Sequence, residues 1–145
     1  MKSTPQLMLK KFIKGKRERV FQAWLKPELA VQWFSPENLK PLSFRSDAKA
    51  GSSYTHVMTG PDGNNLTTVG QYLEIIENEK IVFTWGKGGG APPESIVTIL
   101  LQDHDGGTML TLTHEKLPED LVSGHVTGWE SALRQLERFF NGEKI

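Results

Sequence analysis

HVTGWESALRQLERFF, residues 125–140, is the stretch that decides the fold. At about 100° per residue, its large apolar side chains and those of the preceding turn fall on one side of a helix. The stripe consists of Val122, Val126, Trp129, Leu133, Leu136 and Phe140, flanked by Leu121, His125, Gly128, Ala132 and Phe139. Together they span about 160°, wider than the ~100° that a helix needs to lie on a core. A helix from Pro118 or Glu119 to Phe140, enclosed on more than one side, is predicted.

The chain before this helix has the pattern of strands and short turns. Turn chemistry at residues 61–64, 77–79 and 105–107 predicts antiparallel pairing of the strands that it joins. The predicted order is a strand at 7–13, a short helix around Val20 to Leu25, a second helix at 27–34, and strands at 40–46, 52–59, 66–76, 80–86, 94–102 and 107–115. This order predicts an α+β fold in which a curved sheet wraps the final helix, in one domain spanning residues 1–145.

Composition narrows the classes of function. The 145 residues carry 17 Lys and Arg against 17 Asp and Glu, so no overall field favours nucleic acid or an anionic membrane. No Cys is present, which removes disulfides and thiolate ligands. No apolar run approaches the length of a membrane span, and the start of the chain lacks a secretory h-region, so we expect a cytoplasmic protein. The basic run at residues 10–19 is interpreted as a solvated strand edge and loop, with a partner-binding patch as the alternative.

WGKGGGAPPE, residues 85–94, has the glycine spacing of a dinucleotide-binding turn. Such a turn holds phosphates only where a helix begins directly after it. Pro92 and Pro93 follow instead, and the β-branched residues after them predict another strand. We therefore predict a hairpin loop at residues 86–93 without affinity for nucleotides, and no cofactor.

Several blocks of the chain resemble the family of activators of heat-shock-protein ATPase, within the START-like, or polyketide-cyclase-like, superfamily. The blocks are RERVFQAWLKPELAVQWFSP (17–36), GQYLEI (70–75), IVFTW (81–85), GTMLTLTHE (107–115) and HVTGWESALRQLERFF (125–140). The resemblance implies a helix-grip fold: a curved seven-stranded antiparallel sheet around a long C-terminal helix, with a cavity between them. Relatives whose activity is understood tend to bind lipids, polyketides, flavonoid-like aromatics or hormones. The chaperone activator itself joins this domain to a separate N-terminal one, for which we expect no room in 145 residues.

Glycine and histidine residues supply the candidate site. Gly128 lies inside the predicted helix, where glycine costs about 1 kcal/mol relative to alanine. Either the helix approaches the sheet closely there, or the missing side chain leaves space for a ligand. His56, His114 and His125 could all face the interior, but their spacing forms no local chelate, so no metal site is predicted. They are either core residues or groups that orient a ligand in an apolar pocket.

The leading prediction is a binding protein for a hydrophobic small molecule held between the sheet and the final helix. Its predicted site residues are Trp85, His114, His125, Gly128 and Trp129, with Tyr54 and His56 on one face of a neighbouring strand. No catalytic residues are assigned. One alternative is a cyclase or aromatase in which His114 or His125 moves protons. The other is a chaperone-activator-like interaction module with a protein partner. The sequence leaves the ligand, the partner and the oligomeric state open.

Overall fold

A computed structural model describes residues 6–87 and 95–143. Its elements are β1 (Leu7–Ile13), α1 (Arg17–Leu25), α2 (Pro27–Ala30), β2 (Lys40–Ser46), β3 (Ser53–Thr59), β4 (Asn65–Ile76), β5 (Lys80–Lys87), β6 (Ser95–His104), β7 (Gly107–Glu115), a 3₁₀ turn (Glu119–Leu121) and α3 (Val122–Phe140). The predicted α+β helix-grip fold is confirmed. Most of the predicted hairpin loop at residues 86–93 lies outside the described residues.

The seven strands form one antiparallel, curled sheet in the order β1-β7-β6-β5-β4-β3-β2. From β2 to β7, each strand pairs with the next strand in the chain, as is usual for antiparallel strands. The first strand instead pairs with the last, with Leu7 opposite His114 and Ile13 opposite Thr108. Register shifts at residues 41–43 and 72–74 mark bulges, which bend the strands that carry them.

Alternation along the strands separates the two faces of the sheet. In β3, Tyr54, His56 and Met58 are buried, while the residues between them are partly exposed. The inward residues of β6 and β7 are likewise buried and include Val97, Ile99, Leu110 and Leu112. Because successive side chains point to opposite faces, the concave face is the apolar one, and the helices pack against it.

Gly70 in β4 allows the backbone of β5 and the Tyr54 ring of β3 to approach β4 closely. A Cβ atom at this position would lie 2.1 Å from the carbonyl oxygen of Thr84 and 2.5 Å from the Tyr54 ring. Here side chains supplement the ladder between β4 and β5: the Tyr54 hydroxyl donates to the Thr84 carbonyl at 2.5 Å, and the Gln71 N–H donates to the Thr84 hydroxyl at 2.9 Å. Only glycine fits between the strands at this point.

The helix predicted at residues 27–34 is shorter than expected, since α2 ends at Ala30. Trp33 and Phe34 follow it in a turn, are both buried, and stack with ring centroids 4.8 Å apart. A continued helix would turn these neighbours about 100° apart and prevent them from stacking in the same way. The Trp33 indole also donates to the Ala23 carbonyl at 3.0 Å, which fixes the turn against α1.

The predicted enclosure of the final helix holds for only part of its length. From Trp129 to Leu136, α3 buries Trp129, Ser131, Ala132, Leu133, Gln135 and Leu136. The loop after α2 covers the Ser131 side, because Ser131 accepts the Glu37 N–H at 2.6 Å and Arg134 donates to the Glu37 carboxylate at 2.8 Å. The Arg134 and Ser131 hydrogen bonds hold the pKa of Glu37 below its usual value. The first two turns of α3 are partly exposed, and Leu121 just before them is 41% exposed.

Candidate functional site

Aromatic rings line the concave face of the sheet in a continuous cluster. This aromatic cluster consists of Trp24, Phe34, Phe44, Tyr54, His56, Tyr72, Phe83, Trp85 and Trp129, with neighbouring ring centroids 4.4–6.5 Å apart. Trp85 is its only half-buried member; the others are buried. Trp24 comes from α1, Trp129 from α3 and Phe34 from the turn after α2. The other members come from the sheet.

The interior of the cluster is nearly filled. A cavity of about 10 Å³ remains, lined by Trp24, Phe34, Phe44, Tyr54, Tyr72, Ile81 and Phe83. That volume is close to the minimum that one water molecule needs. In this conformation the side chains themselves occupy most of the space between the sheet and the helices.

His114 is the centre of a directed chain of hydrogen bonds. The Trp129 indole, which can only donate, lies 3.0 Å from His114 Nδ1, so Nδ1 accepts and the proton is on Nε2. Nε2–H then donates to the Ser95 hydroxyl at 2.7 Å, and that hydroxyl donates to the Trp85 carbonyl at 2.9 Å. Burial, together with the nearby His125, lowers the pKa of His114 to about 3. The chain thus joins α3, β7, β6 and β5 through a neutral imidazole.

His125 stands beside His114 at the less buried end of α3. The two rings are perpendicular, with centroids 5.3 Å apart. Nδ1 of His125 donates to the Leu121 carbonyl at 2.9 Å, one turn earlier in the chain. Its other ring nitrogen is therefore the acceptor in the neutral form, so the predicted pair of histidines is brought together with different roles.

Tyr54 and His56 lie on the inward face of β3, as predicted. The Tyr54 hydroxyl is committed to the Thr84 carbonyl. His56 Nε2 lies 2.6 Å from the Phe34 carbonyl, while its Nδ1 is buried without a hydrogen-bond partner among the described residues. Burial lowers the pKa of His56 to about 4.

Gly128 faces open space. A Cβ atom placed there, or at Gly124 one turn earlier, would meet none of the described atoms within 4 Å. Close packing of helix against sheet, one of the two explanations for this glycine, is therefore not what the described residues show. Ser131 and Ala132, one turn further on, are buried. The cover over this side of α3 thus ends between Ala132 and Gly128.

Two relevant residues escaped the sequence analysis as site residues. Ser95 was expected only as part of a strand, yet it joins His114 to β5. Trp24 was expected only as an apolar residue of the first helix, yet its buried indole N–H has no partner among the described residues. A local pattern could not indicate either role, because both depend on partners far away in the chain.

Part of the basic run at residues 10–19 has a structural role. Arg17 donates to Asp103 at 3.0 Å and lies 3.9 Å from Glu79, which ties α1 to the end of β6 and to the turn between β4 and β5. Lys11 pairs with Glu137 of α3 at 3.0 Å. Lys14 and Lys16 are exposed and remain available to solvent.

Two further properties bear on function. Within residues 6–87 and 95–143, no three His, Asp or Glu side chains are placed to hold a metal ion. In the same part of the chain, no helix has the length and apolar character needed to cross a bilayer.

The chain is similar to a known protein family over most of its length. The sequence profile of the family described as Activator of Hsp90 ATPase homolog 1-like protein matches residues 14–141. No curated protein matches the sequence significantly.

Solved structures share the fold over nearly their full length. Protein CV1439 from Chromobacterium violaceum is 28% identical, with 92% of this chain and 95% of that chain covered and a TM-score of 0.82. Protein NE0264 from Nitrosomonas europaea is 25% identical, with 98% and 97% covered and a TM-score of 0.83. The AHSA1 protein SPO3351 from Silicibacter pomeroyi is 25% identical, with 93% and 96% covered and a TM-score of 0.82.

Proposed function

This chain belongs to the family of Activator of Hsp90 ATPase homolog 1-like proteins, and on that premise we propose that it binds a hydrophobic small molecule, lipid-, polyketide- or flavonoid-like, between the sheet and α3. The fold of the family is of a ligand-binding type. In this chain the concave face carries the aromatic cluster, whose rings offer flat apolar area with little side-chain entropy to lose. Of the three ligand classes, a planar aromatic molecule suits such a wall best.

The observation that carries the proposal is the open position at Gly128, the residue that precedes Trp129 of the aromatic cluster. A ligand of ordinary size needs roughly 300–1,000 Å³, so it must displace side chains from the present interior. Trp85 is the member of the cluster best placed to move, because it is half-buried and its neighbours in the cluster are other rings. The ligand takes the place of the Trp85 ring beneath the partly exposed first turns of α3.

A binding role also suits the hydrogen-bonding state of His114. A cyclase- or aromatase-type reaction needs a group that can accept a proton. Both ring nitrogens of His114 are already engaged, by Trp129 and Ser95, and its low pKa makes it a weak base. His114 therefore positions neighbouring elements in this proposal and carries no reaction step.

The test is a panel of flavonoid-like, acyl and steroid-like compounds, with melting temperature and tryptophan fluorescence as readouts. A ligand at one hundred times its dissociation constant should stabilise the protein by about 2.7 kcal/mol. Displacement of Trp85 from its contact with Trp129 should change the fluorescence as well. Native mass spectrometry of gently purified protein identifies any molecule that is retained.

Gly128→Leu provides the matched variant. Leucine in this open position should leave the fold intact, since its helix propensity exceeds that of glycine by somewhat under 1 kcal/mol. Its side chain should fill the space that the glycine leaves open, so binding falls while stability does not. Gly128→Ala is the control that leaves most of this space open. A wild-type protein that binds nothing in the panel, or a Gly128→Leu variant that binds as the wild type does, would refute the proposal.

A further inference from the structure

His125 has a ring nitrogen that the fold leaves unused. Its Nδ1 lies 2.9 Å from the Leu121 carbonyl oxygen, which can only accept, so Nδ1 carries the proton and Nε2 of the neutral ring is an acceptor. Among the groups that the structure describes, Nε2 has no hydrogen-bond partner. His125 is half-buried and Nε2 is not one of the buried atoms that lack a partner, so solvent reaches it. An acceptor of fixed tautomer is therefore open to a ligand.

Helix geometry places His125 between the open and the covered side of α3. At about 100° per residue, His125 points about 60° from Gly128 and about 40° from Trp129 around the helix axis, one turn earlier in the chain. The position at Gly128 is open, whereas the Trp129 side chain is buried. His125 therefore stands at the border between the open space and the aromatic cluster.

Ring contacts show that His125 faces the concave side of the sheet. Its ring centroid lies 5.3 Å from that of His114, which is fully buried. The His114 ring centroid lies 6.1 Å from that of Trp129, which in turn lies 4.9 Å from that of Trp85. In the proposed function the ligand takes the place of the Trp85 ring and so packs on Trp129. A ligand that extends from there towards Gly128 passes His125.

An acceptor at this border selects a ligand that can donate. A carbonyl, ether or carboxylate oxygen offers only lone pairs and would face the lone pair of Nε2, whereas a hydroxyl has a hydrogen to donate. The hydroxyl of a phenol lies in the plane of its ring. The flat body of a phenol can therefore stay against the Trp129 ring while its hydroxyl extends beyond the ring edge to α3.

We propose that the site selects a neutral aromatic alcohol, a phenol, whose hydroxyl donates to His125 Nε2. This inference rests on the proposed function and names its specificity residue. In the free protein, water satisfies Nε2, because solvent reaches this atom. The phenol hydroxyl replaces that water, whereas an aromatic ligand without a donor displaces it and offers nothing in return.

Isothermal titration calorimetry compares three compounds of similar shape: 2-naphthol, 2-methoxynaphthalene, which loses the donor, and naphthalene, which has no oxygen. A hydrogen bond at a solvent-accessible atom has a modest net value, so 2-naphthol should bind about three- to ten-fold more tightly than either of the others. Equal binding of the three compounds would overturn the selection of a hydroxyl while leaving the proposed function standing. Binding of none of them would overturn this inference, and the wider panel then decides the proposed function separately.

His125→Phe keeps a flat ring and removes the acceptor, so the preference for 2-naphthol should fall below about two-fold while naphthalene binds as before. His104→Phe is the matched control, because His104 is exposed and lies at the opposite end of β6 from Ser95. This control should keep the preference. A His125→Phe protein that retains the full preference would overturn the assignment. Equal weakening of all three compounds would overturn it too, because it would mean that His125 only supports the structure.

Nitrogen NMR of His125 in the wild-type protein supplies a measurement that needs no variant. On saturation with 2-naphthol, the Nε2 resonance should move in the direction of a stronger hydrogen bond, because a phenol is a better donor than water. On saturation with naphthalene it should move the opposite way, because the water is displaced without replacement. A resonance that stays in place with both compounds would overturn the proposal.

Discussion

At the scale of single residues, the indole N–H of Trp129, which can only donate, determines the tautomer of His114. Trp129→Phe would remove the N–H that His114 Nδ1 accepts and leave that nitrogen buried without a partner. Such a loss costs about 1–3 kcal/mol, in addition to the contacts of the lost ring atoms. Chemical denaturation should show this decrease in the free energy of unfolding.

Trp85→Phe is the comparison for that prediction. The substitution is the same and the residue belongs to the same aromatic cluster, but its indole N–H makes no hydrogen bond to any of the described residues. We expect Trp129→Phe to be the more destabilising of the two by at least about 1 kcal/mol. Equal losses in the two variants would mean that the bond to His114 contributes nothing measurable.

The sequence predicted the positions of these side chains better than their hydrogen bonds. Alternation placed Tyr54 and His56 on one face of β3, because side chains on a strand alternate between faces. Helical spacing placed His125 one turn from Trp129. The proximity of His114 to Ser95, and the unpartnered N–H of Trp24, depend on how the curled sheet brings distant segments together. No local periodicity carries that information.

At the scale of helices, Gly128 has no packing reason to be glycine among the described residues. Gly128→Ala adds a Cβ atom that meets nothing within 4 Å and removes the entropy cost of glycine in a helix. The free energy of unfolding should therefore rise, by up to about 1 kcal/mol. A melting-temperature measurement on the variant tests this, and a decrease would show that the open side of α3 is occupied in solution.

At the scale of strands, Gly70 is the opposite case. Gly70→Ala would place a Cβ atom against the Thr84 carbonyl and the Tyr54 ring, and the backbone atom cannot move aside as a flexible side chain could. Relief requires separating β4 from its neighbours, so we expect a loss of about 3 kcal/mol or more. Urea denaturation of the variant measures this loss, and wild-type stability would contradict the close approach of Thr84 and Tyr54 to Gly70.

The elements themselves were largely predictable from the sequence. β-Branched residues and turn chemistry predicted each end of the strands to within two residues of its observed position. The short α2 was not predictable in this way, because stacking of Trp33 on Phe34 overrides local helix propensity. The same holds for the exposed beginning of α3, where amphipathicity indicates which side is apolar but not how far the sheet reaches.

At the scale of the whole molecule, two buried neutral histidines link stability to pH. Their pKa values are about 4 for His56 and about 3 for His114, both below the usual 6.5 of an unfolded chain. The unfolded state therefore takes up protons first as the pH falls. The contribution of the two histidines to the free energy of unfolding is fully present above about pH 6.5. Below that pH the free energy of unfolding decreases, by up to about 1.4 kcal/mol per pH unit for each histidine.

Urea denaturation between pH 7.5 and 5 measures this slope before most carboxylates titrate. His114→Gln should reduce the slope by up to half, since one of the two buried imidazoles is gone. The exposed His104 is the control, and His104→Gln should leave the slope unchanged. A stability that is flat across this range would mean that the two imidazoles are not kept neutral by burial.

The pairing of β1 with β7 has a consequence for how the protein is made. Gln6, just before β1, exchanges hydrogen bonds with Leu117, 111 residues later. The first strand to leave the ribosome is thus among the last to be paired, and contacts of such long sequence separation fold slowly, on the order of milliseconds to seconds. Until β7 emerges, β1 and β6 each expose a row of unpaired backbone groups, the kind of edge through which chains associate. Nascent chains that stall before residue 107 should therefore be the species most prone to aggregate.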